Sequence, residues 1–310
     1  MNEFELISRL MPSLPGNPSL VTGAGDDCAV IDLGIPGDLV LFKTDAVVEG
    51  IHFTRETPPE KIGRKALARC LSDIAAMAGT PVAALVTIAL PTDYDPEFIT
   101  SVYRGLNELA QANGVAVAGG ETTTNPERLL ISISLLGTIR RGKQILRSGA
   151  KAGDAIFVTG ELGGSLAGKH LDFEPRLAEA RWLAEHFTVH AMMDLSDGLA
   201  GDLRHILQAS RVGAELLKSA VPVSRAAKLR AKEGSAAKPA FVAALGDGED
   251  FELLFTLPGK HAVKLVDAWK KEFPALKLSC IGKIVAGEGI LIRDKIGSHK
   301  LNANGYVHFA

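Results

Sequence analysis

In the first half of the chain, segments whose apolar residues recur at helical spacing alternate with segments whose apolar pattern is typical of β-strands. Apolar residues recur at helical spacing between Glu60 and Ala78, and a second helix is predicted from Glu97 to Asn113. Segments with alternating or continuous apolar character predict the strands Cys28–Leu33, Leu39–Lys43, Val82–Leu90 and Leu129–Gly137. Strands therefore alternate with helices, as in an α/β domain.

The basic and glycine-containing stretch Arg140–Gly149 separates these elements from a second set. Apolar runs there predict strands at Asp154–Thr159 and Phe251–Thr256, and a helix is predicted from Leu199 to Ala209. We therefore expect two domains, residues 1–146 and residues 147–310. The fold class that follows is α/β (α+β).

Composition and charge narrow the class of protein by exclusion. With 310 residues, 46% apolar residues and a net charge of −2, the chain has a globular composition without the basic surplus that nucleic-acid binding requires. The apolar stretch Val82–Leu90 is far shorter than the roughly 20 residues of a membrane-spanning helix. We therefore expect neither a nucleic acid nor a membrane as a partner.

The cysteines and the N-terminus indicate a compartment. Cys28, Cys70 and Cys280 are odd in number and far apart, which argues against a zinc site and against a disulfide framework. The acidic N-terminal segment has no signal-type apolar block. We expect a protein of the reducing cytoplasm.

Acidic residues recur after apolar runs, mostly beside glycines or other small residues. The members of this set are Asp27, Asp45, Asp73, Glu121, Asp194, Asp197 and Asp250. Oxygen ligands without a cysteine or histidine set suit Mg²⁺ or Mn²⁺, and the spacing of an EF-hand is absent. A cluster of these acids needs two or more divalent ions to offset its repulsion, and such ions usually serve phosphate chemistry.

Several of these positions also have a purely structural interpretation, and the residues alone leave both open. Gly23–Asp27 also fits a hairpin turn, Asp73 a surface ion pair with Arg69, and Asp197 a helix cap. The glycine-rich Gly160–Ser165 is either an anion-binding helix start or a plain turn between a strand and a helix.

Seven spaced motifs and the C-terminal segment resemble the thiamine-monophosphate kinase family, of the aminoimidazole ribonucleotide synthetase superfamily. They are Gly23-Ala-Gly-Asp-Asp27, Thr44-Asp45 through Glu49-Gly50-Ile51-His52-Phe53, Ser72-Asp73-Ile-Ala-Ala-Met77, Gly119-Gly120-Glu121-Thr122, Arg147-Ser-Gly-Ala150, Asp194-Leu-Ser-Asp-Gly198, Gly248-Glu-Asp-Phe-Glu-Leu253 and the closing Gly305-Tyr306-Val307-His308-Phe309. The resemblance implies a two-domain fold, with an N-terminal mixed-sheet domain that forms a homodimer and a C-terminal α/β domain.

The resemblance also implies the reaction ATP + thiamine monophosphate → ADP + thiamine diphosphate, with several Mg²⁺ ions. The implied metal ligands are Asp27, Thr44, Asp45, Asp73, Glu121, Asp194 and Asp197. The implied ATP contacts are Tyr103, Gly120, Arg147 and Ser196, of which Tyr103 rests only on its spacing before Gly119. The implied thiamine-phosphate contacts are His52, Asp250 and Tyr306.

The implied chemistry fits these residue types without a general base. A phosphate monoester has a second pKa near ~6, so the attacking oxygen is already ionised at pH 7. Positioning and charge neutralisation remain, for which Arg147 offers a bidentate donor. His52 then contacts the substrate or is structural, and Tyr306 offers a ring face to the thiazolium or packs in the core.

Two positions depart from the family pattern. Glu121 stands where many relatives carry Asp, and Lys43 precedes Thr44 where a small hydroxyl residue is common. Rival interpretations are another ATP-dependent synthetase of the superfamily and a non-catalytic protein that binds a nucleotide or thiamine phosphate. A selenophosphate synthetase is disfavoured because no cysteine precedes Cys28.

Overall fold

The computed structural model describes residues 3–234 and 237–301, which divide into two compact units. The N-terminal unit consists of Asn17–Gln144 together with Leu171–Leu177. The C-terminal unit consists of Ile145–His170 and the described parts of Met1–Gly16 and Ala178–Ala310. The expected domain boundary at 146/147 stays a prediction.

The elements of the described chain are numbered in order. The strands are β1 (Leu20–Thr22), β2 (Ala29–Ile31), β3 (Asp38–Val48), β4 (Thr80–Leu90), β5 (Ala116–Thr124), β6 (Leu130–Arg140), β7 (Asp154–Thr159), β8 (Ala191–Asp194), β9 (Gly213–Leu217), β10 (Leu253–Pro258), β11 (Leu278–Val285), β12 (Gly289–Arg293) and β13 (Ser298–Lys300). The helices are α1 (Glu3–Leu10), α2 (Pro59–Ala76), α3 (Pro96–Ala112), α4 (Lys169–Asp172), α5 (Leu177–His186), α6 (Leu199–Ser210), α7 (Arg225–Arg230), α8 (Ala240–Gly246) and α9 (Ala262–Glu272).

The N-terminal unit is a six-stranded mixed sheet with α2 packed against it and α3 packed on α2. The strand order is β1-β2-β3-β6-β4-β5, in which β4 and β5 are parallel and the other pairs antiparallel. The apolar stripe of α2, including Ile62, Leu67 and Ile74, is fully buried, and each such side chain contributes roughly 1.5–3 kcal/mol. A Cβ on Gly63 would lie 1.8 Å from the carbonyl oxygen of Val102, so the contact of α2 with α3 requires glycine.

The long strand β3 gives the two sheet faces different side chains, because residues alternate along a strand. Leu41, Lys43 and Asp45 face α2, and Leu41 is fully buried. The intervening Phe42 and Thr44 are exposed on the opposite face. The sequence had placed Asp45 at a strand end, which is wrong. Pairing with β6 continues to Val48, so Asp45 lies inside the strand.

The C-terminal unit is a seven-stranded sheet in the order β13-β12-β9-β11-β7-β10-β8. Among its described strands only β12 and β9 pair in parallel. Leu199, Leu203 and Ile206 of α6 are fully buried in the core of this unit. Apolar burial thus fixes α6, and with it the loop that joins β8 to this helix.

The expected fold class, two α/β domains with mixed sheets, is confirmed. The predicted helices are present as α2, α3 and α6, with ends shifted by at most two residues. None of the helices in the described part of the chain combines the length and the apolar composition that crossing a bilayer requires.

Candidate active site

Asp27 lies just before β2 and is 1% exposed. Its backbone N–H donates to Oδ1 of Asp26 at 3.1 Å, and the next N–H, of Cys28, donates to Sδ of Met77 at 3.2 Å. These bonds fix the loop against the C-terminal end of α2. A carboxylate oxygen of Asp27 lies within 4.8 Å of a carboxylate oxygen of Asp73. The loop therefore does more than turn the chain, because it buries a carboxylate beside a second one.

Asp73 and Asp45 meet cations of the chain itself. Lys43 Nζ lies 2.9 Å from Oδ1 of Asp73, and Arg69 donates to both oxygens of Asp45 at 2.9 and 3.3 Å. Burial raises the pKa of Asp45, but the charges of Arg69 and Lys43 outweigh it and hold this pKa below its usual value. Burial lowers the pKa of Lys43, but the charges of Asp73 and Asp45 outweigh burial and raise it. Asp45 is thus held ionised at neutral pH.

Thr44 and Glu121 lie on the other face of the sheet. The Thr44 hydroxyl is exposed and lies 3.5 Å from the hydroxyl of Ser132. Ser132 pairs with Thr87 and Thr87 with Glu121, so this cross-strand row places Glu121 on the face of Thr44. The structure therefore separates Thr44 and Glu121 from Asp45, although Thr44 and Asp45 are neighbours in sequence.

Gly119–Thr124 is part of strand β5, whereas the sequence had placed it after a strand; that expectation is wrong. The segment pairs in parallel with β4 from Leu85 to Leu90. Gly120 has φ +157°, and a Cβ there would lie 1.7 Å from the carbonyl oxygen of Val86. Gly120 is therefore required by the close approach of two strands, whatever its proposed contact with ATP.

The other sequence-predicted residues of the N-terminal unit occupy separate elements. Tyr103 is half-buried on α3, and burial raises its pKa. His52 Nδ1 accepts the backbone N–H of Val48 at 3.0 Å, and the His52 carbonyl oxygen accepts from Lys65 Nζ at 2.7 Å. This ring bond agrees with a structural histidine. Tyr306 lies outside the described residues.

In the C-terminal unit, Asp194 is the last residue of β8, and the loop from there to α6 carries Ser196 and Asp197. The helix begins after Gly198, and Oδ2 of Asp202 accepts the backbone N–H groups of Asp197 and Gly198 at 3.1 and 3.0 Å. The interpretation of Asp197 as the cap of α6 is therefore wrong. The cap is a carboxylate from inside the helix, which orders the loop from the helix side.

Asp202 is a residue that sequence reasoning missed. It is 1% exposed, and burial raises its pKa well above the usual value, with further increases from the charges of Asp197 and Asp194. Its Oδ1 is buried without a hydrogen bond to any described residue. Asp197, Asp202 and His205 each offer one ligand atom within 4.8 Å of the others. The only sequence signal was an acid in the first turn of a predicted helix.

The motif Gly248–Leu253 lies beside the loop between β8 and α6 and bonds to it through the backbone. The Glu249 N–H donates to the Ser196 carbonyl oxygen at 2.6 Å, and Phe251 N–H donates to that of Leu195 at 2.8 Å. Glu249 and Phe251 both have positive φ, 57° and 49°, a conformation that costs a non-glycine residue of order 1 kcal/mol or more. Two motifs about fifty residues apart thus form one local structure.

Asp250 of this motif is buried and accepts the Gly163 N–H with both oxygens, at 3.0 and 2.9 Å. Burial raises its pKa to about 7. Asp247 Oδ2 likewise accepts the Gly164 N–H at 3.1 Å. Because carboxylates of the chain bond these amides, the structure favours the plain turn for Gly160–Ser165 over the anion-binding loop.

The loop of Arg147 is fixed by the C-terminal end of α6. Ser210 Oγ accepts the backbone N–H groups of Gly149 and Ala150, both at 3.1 Å, and donates to the Arg147 carbonyl oxygen at 3.4 Å. The Arg147 charge lowers the pKa of Asp202, in opposition to the dominant effect of burial. Its guanidinium therefore acts electrostatically at the end of α6 that carries Asp197.

Comparison with known proteins decides the family. The model for the N-terminal domain of AIR synthase related proteins matches residues 25–139, and that for the C-terminal domain matches residues 164–295. The chain is 40% identical over 299 residues to thiamine-monophosphate kinase of Rhodopirellula baltica, covering 94% of this chain and 92% of the relative. The kinase of Bacillus subtilis is 34% identical over 336 residues, with both chains covered in full. The chain belongs to the thiamine-monophosphate kinase family.

Solved structures agree with this assignment. The structure described as AaThiL complexed with AMPPCP and TMP superposes with a TM-score of 0.83 at 30% identity, covering 99% of this chain and 97% of the other. HypE of E. coli superposes with a TM-score of 0.73 at 20% identity, which shows the shared fold alone. The family resemblance expected from the motifs is thus confirmed.

Apart from Tyr103, His52 and Tyr306, the predicted site residues of this member of the thiamine-monophosphate kinase family fall into four groups. Asp27, Asp45 and Asp73 lie on the side of the N-terminal sheet that faces α2, and Gly120 lies in the cross-strand row of Asp45, through Ile133 and Val86. Thr44 and Glu121 lie on the opposite, exposed face of that sheet. Asp194, Ser196, Asp197 and Arg147 surround or adjoin α6, and Asp250 is bonded inside the C-terminal unit. Their roles toward metal, ATP and thiamine phosphate stay predictions.

Proposed function

We propose that this protein transfers the γ-phosphoryl group of ATP directly to thiamine monophosphate, which yields ADP and thiamine diphosphate. The observation that carries the proposal is its full-length similarity to thiamine-monophosphate kinases, among them a structure with an ATP analogue and TMP. The activity is that of a phosphotransferase with a phosphate group as acceptor. This protein would thus complete the synthesis of the cofactor thiamine diphosphate.

The residues present suit divalent metal binding. Asp27 and Asp73 bring two buried carboxylates to within 4.8 Å, a donor set that Mg²⁺ prefers. In the proposal Asp27, Asp45 and Asp73, with Thr44 and Glu121, hold magnesium in the N-terminal unit, and Asp194 and Asp197 hold it in the C-terminal unit. When bound, magnesium supplies neutralisation of the phosphate charges.

The chain itself positions the two anionic substrates. The acceptor phosphate is already ionised at pH 7, so no residue has to remove a proton. Arg147 would bind phosphate oxygens in the bidentate geometry of a guanidinium, and Ser196, Gly120 and Tyr103 would contact the nucleotide. His52, Asp250 and Tyr306 would line the thiamine phosphate site. The rate enhancement would then come from in-line positioning and charge neutralisation.

A homodimer and a cytoplasmic location are part of the proposal. Phe42 and Leu136 pair across β3 and β6 on the exposed face of the N-terminal sheet, and Leu85 of β4 is exposed as well. An apolar sheet face of this kind fits an interface between two copies. The cytoplasmic location is supported by free thiols at Cys28, Cys70 and Cys280.

One coupled assay tests the function. ADP release is measured with Mg²⁺ and ATP in the presence of thiamine monophosphate, of thiamine, or of no acceptor, and the product is identified by mass spectrometry. We expect ADP and thiamine diphosphate in equal amounts, and only with thiamine monophosphate. Equal ADP release in all three reactions would disprove the kinase and favour another ATP-dependent synthetase. Binding of ATP and thiamine monophosphate without turnover would identify a non-catalytic relative.

A further inference from the structure

Lys43 precedes Thr44 on β3, and the structure shows what it contacts. Its ammonium lies 2.9 Å from Oδ1 of Asp73, and the two side chains are only 24% and 9% exposed. The aliphatic part of Lys43 follows the face of β3 that also carries the buried Leu41. The pair is thus part of the interior of the N-terminal unit and differs from a solvated surface ion pair.

The charges around Asp73 are largely balanced by the chain itself. Asp27, Asp45 and Asp73 supply three negative charges, and Lys43 and Arg69 supply two positive ones. A carboxylate cluster attracts divalent ions through its uncompensated charge. With one negative charge left among these five residues, the attraction for a second divalent ion is weak.

We propose that the Lys43 ammonium takes the place of one divalent cation at Asp73, so that this unit binds one metal ion fewer than its carboxylates would otherwise hold. This inference rests on the metal roles in the proposed function. An ammonium neutralises the charge of a carboxylate, as a metal ion does, and it also donates hydrogen bonds to the carboxylate. Unlike a metal ion, it has no open coordination position for water or phosphate.

The Lys43 ammonium should weaken metal binding at Asp73 whether or not the protein turns over its substrates. A divalent ion that ligates Asp73 Oδ1 has to displace Lys43 and to tolerate its charge nearby. Removing that charge should therefore add a binding site or tighten the existing one. Removing a lysine elsewhere on the same unit should leave metal binding unchanged.

Mn²⁺ alone is the probe, and free Mn²⁺ is counted by electron paramagnetic resonance while the protein is titrated without nucleotide. The variants are Lys43→Met, which keeps the apolar stem, and Lys43→Gln, which keeps a neutral donor for Asp73. Lys143→Met is the matched control, because Lys143 is exposed on the same unit. The double variant Lys43→Met with Asp73→Asn removes both charges. The melting temperature of each protein is measured with and without Mn²⁺.

We expect Lys43→Met and Lys43→Gln to bind one additional Mn²⁺ per chain, or to bind Mn²⁺ about tenfold tighter, than wild type and Lys143→Met. Mn²⁺ should also raise the melting temperature of the Lys43 variants more than that of wild type. The double variant should lose the gain, because its second carboxylate is missing.

Unchanged or weaker Mn²⁺ binding in both Lys43 variants overturns the proposal. So does unchanged metal binding with a raised KM for ATP or thiamine monophosphate, since Lys43 would then be a phosphate contact. The kinase assay on wild type is independent of these titrations. Failure of that assay removes the proposed function, whereas failure of the Mn²⁺ comparison removes only the role of Lys43.

Discussion

Asp202 accepts the backbone N–H of Asp197 at 3.1 Å, and this hydrogen bond fixes the loop that carries a proposed metal ligand. The same oxygen accepts the Gly198 N–H at 3.0 Å, so one buried carboxylate accepts the two amides that directly precede α6. At the other end of α6, Ser210 bonds two amides of the Arg147 loop. One helix therefore fixes two loops with proposed roles in ATP binding.

Replacing Asp202 by Ala should destabilise the C-terminal unit by about 2 kcal/mol, because two buried amides lose their acceptor. Asp202→Asn keeps a carbonyl acceptor and should stay within about 1 kcal/mol of wild type. Urea unfolding followed by tryptophan fluorescence measures this unit alone, because the two tryptophans, Trp182 and Trp269, both belong to it.

The same pair of variants separates positioning from stability. A displaced Asp197 should lower kcat/KM for ATP about tenfold in Asp202→Ala, with activity largely kept in Asp202→Asn. Ser224→Ala is the control, because Ser224 caps α7 in the same unit through the Ala227 N–H at 3.0 Å. It should lose stability without a change in KM for ATP. Equal kinetics in all three variants would contradict a positioning role for Asp202.

Ser210→Ala should raise the KM for ATP about fivefold, since the amides of Gly149 and Ala150 lose a partner worth about 1 kcal/mol and the Arg147 loop loosens. The KM for thiamine monophosphate should not change. Ser210→Thr retains the hydroxyl and should restore the wild-type value, and Gln208→Ala on the exposed side of α6 is the matched control. In a background of Arg147→Ala, Ser210→Ala should have little further effect, because it acts through Arg147. If the losses from Ser210→Ala and Arg147→Ala are fully additive in the double variant, Ser210 does not act through Arg147.

The sequence allowed the prediction of elements whose apolar pattern extends over many residues, such as α2 and β4. It also allowed the prediction of the family, because several motifs occur along the chain in the order typical of that family. It did not reveal that Thr44 and Asp45 face opposite sides of β3, because the end of that strand depends on pairing with β6. Glu121 was misplaced after a strand for the same reason: β5 continues wherever β4 offers a partner.

Hydrogen-bond and ion-pair partners that lie far apart in the chain could not be predicted from the sequence either. Lys43 and Asp73 are thirty residues apart, and neither position alone indicates an ion pair. Asp202 and Ser210 act on backbone amides, which every residue except proline carries and which no side-chain motif records. Ligand residue types can therefore be found from sequence, whereas the residues that hold them need the fold.

Asp45→Asn and Asp73→Asn should each abolish turnover, with a loss of at least about 10²-fold, while the fold survives. Each substitution keeps the side-chain shape and removes the charge proposed to bind magnesium. Asp172→Asn is the control, because Asp172 pairs with Lys61 at 2.6 Å on the same unit and is half-exposed. Circular dichroism and melting temperature report the fold. Near-normal rates in either variant would remove that residue from the active site.

Asp250 gives the C-terminal unit a pH-dependent stability whose sign follows from burial. Its pKa is raised from the usual 3.8 to about 7, against the opposing effects of the Gly163 amide and the Lys169 charge. Because the folded state binds the proton more tightly than the unfolded chain, the contribution is fully present below about pH 4. It is lost as the pH rises through about 7.

Asp250→Asn should remove this dependence, since an amide does not titrate and its carbonyl oxygen still accepts the Gly163 N–H. The free energy of unfolding of wild type, minus that of Asp250→Asn, should fall by at most about 4 kcal/mol between pH 4 and pH 8. Asp247→Asn is the comparison, because Asp247 bonds the neighbouring Gly164 amide and its side chain is 9% exposed. Asp247→Asn should keep the loss of stability between pH 4 and 7, because Asp250 is unchanged in that variant. A difference between wild type and Asp250→Asn that is flat over this range would show that Asp250 stays ionised in the folded protein.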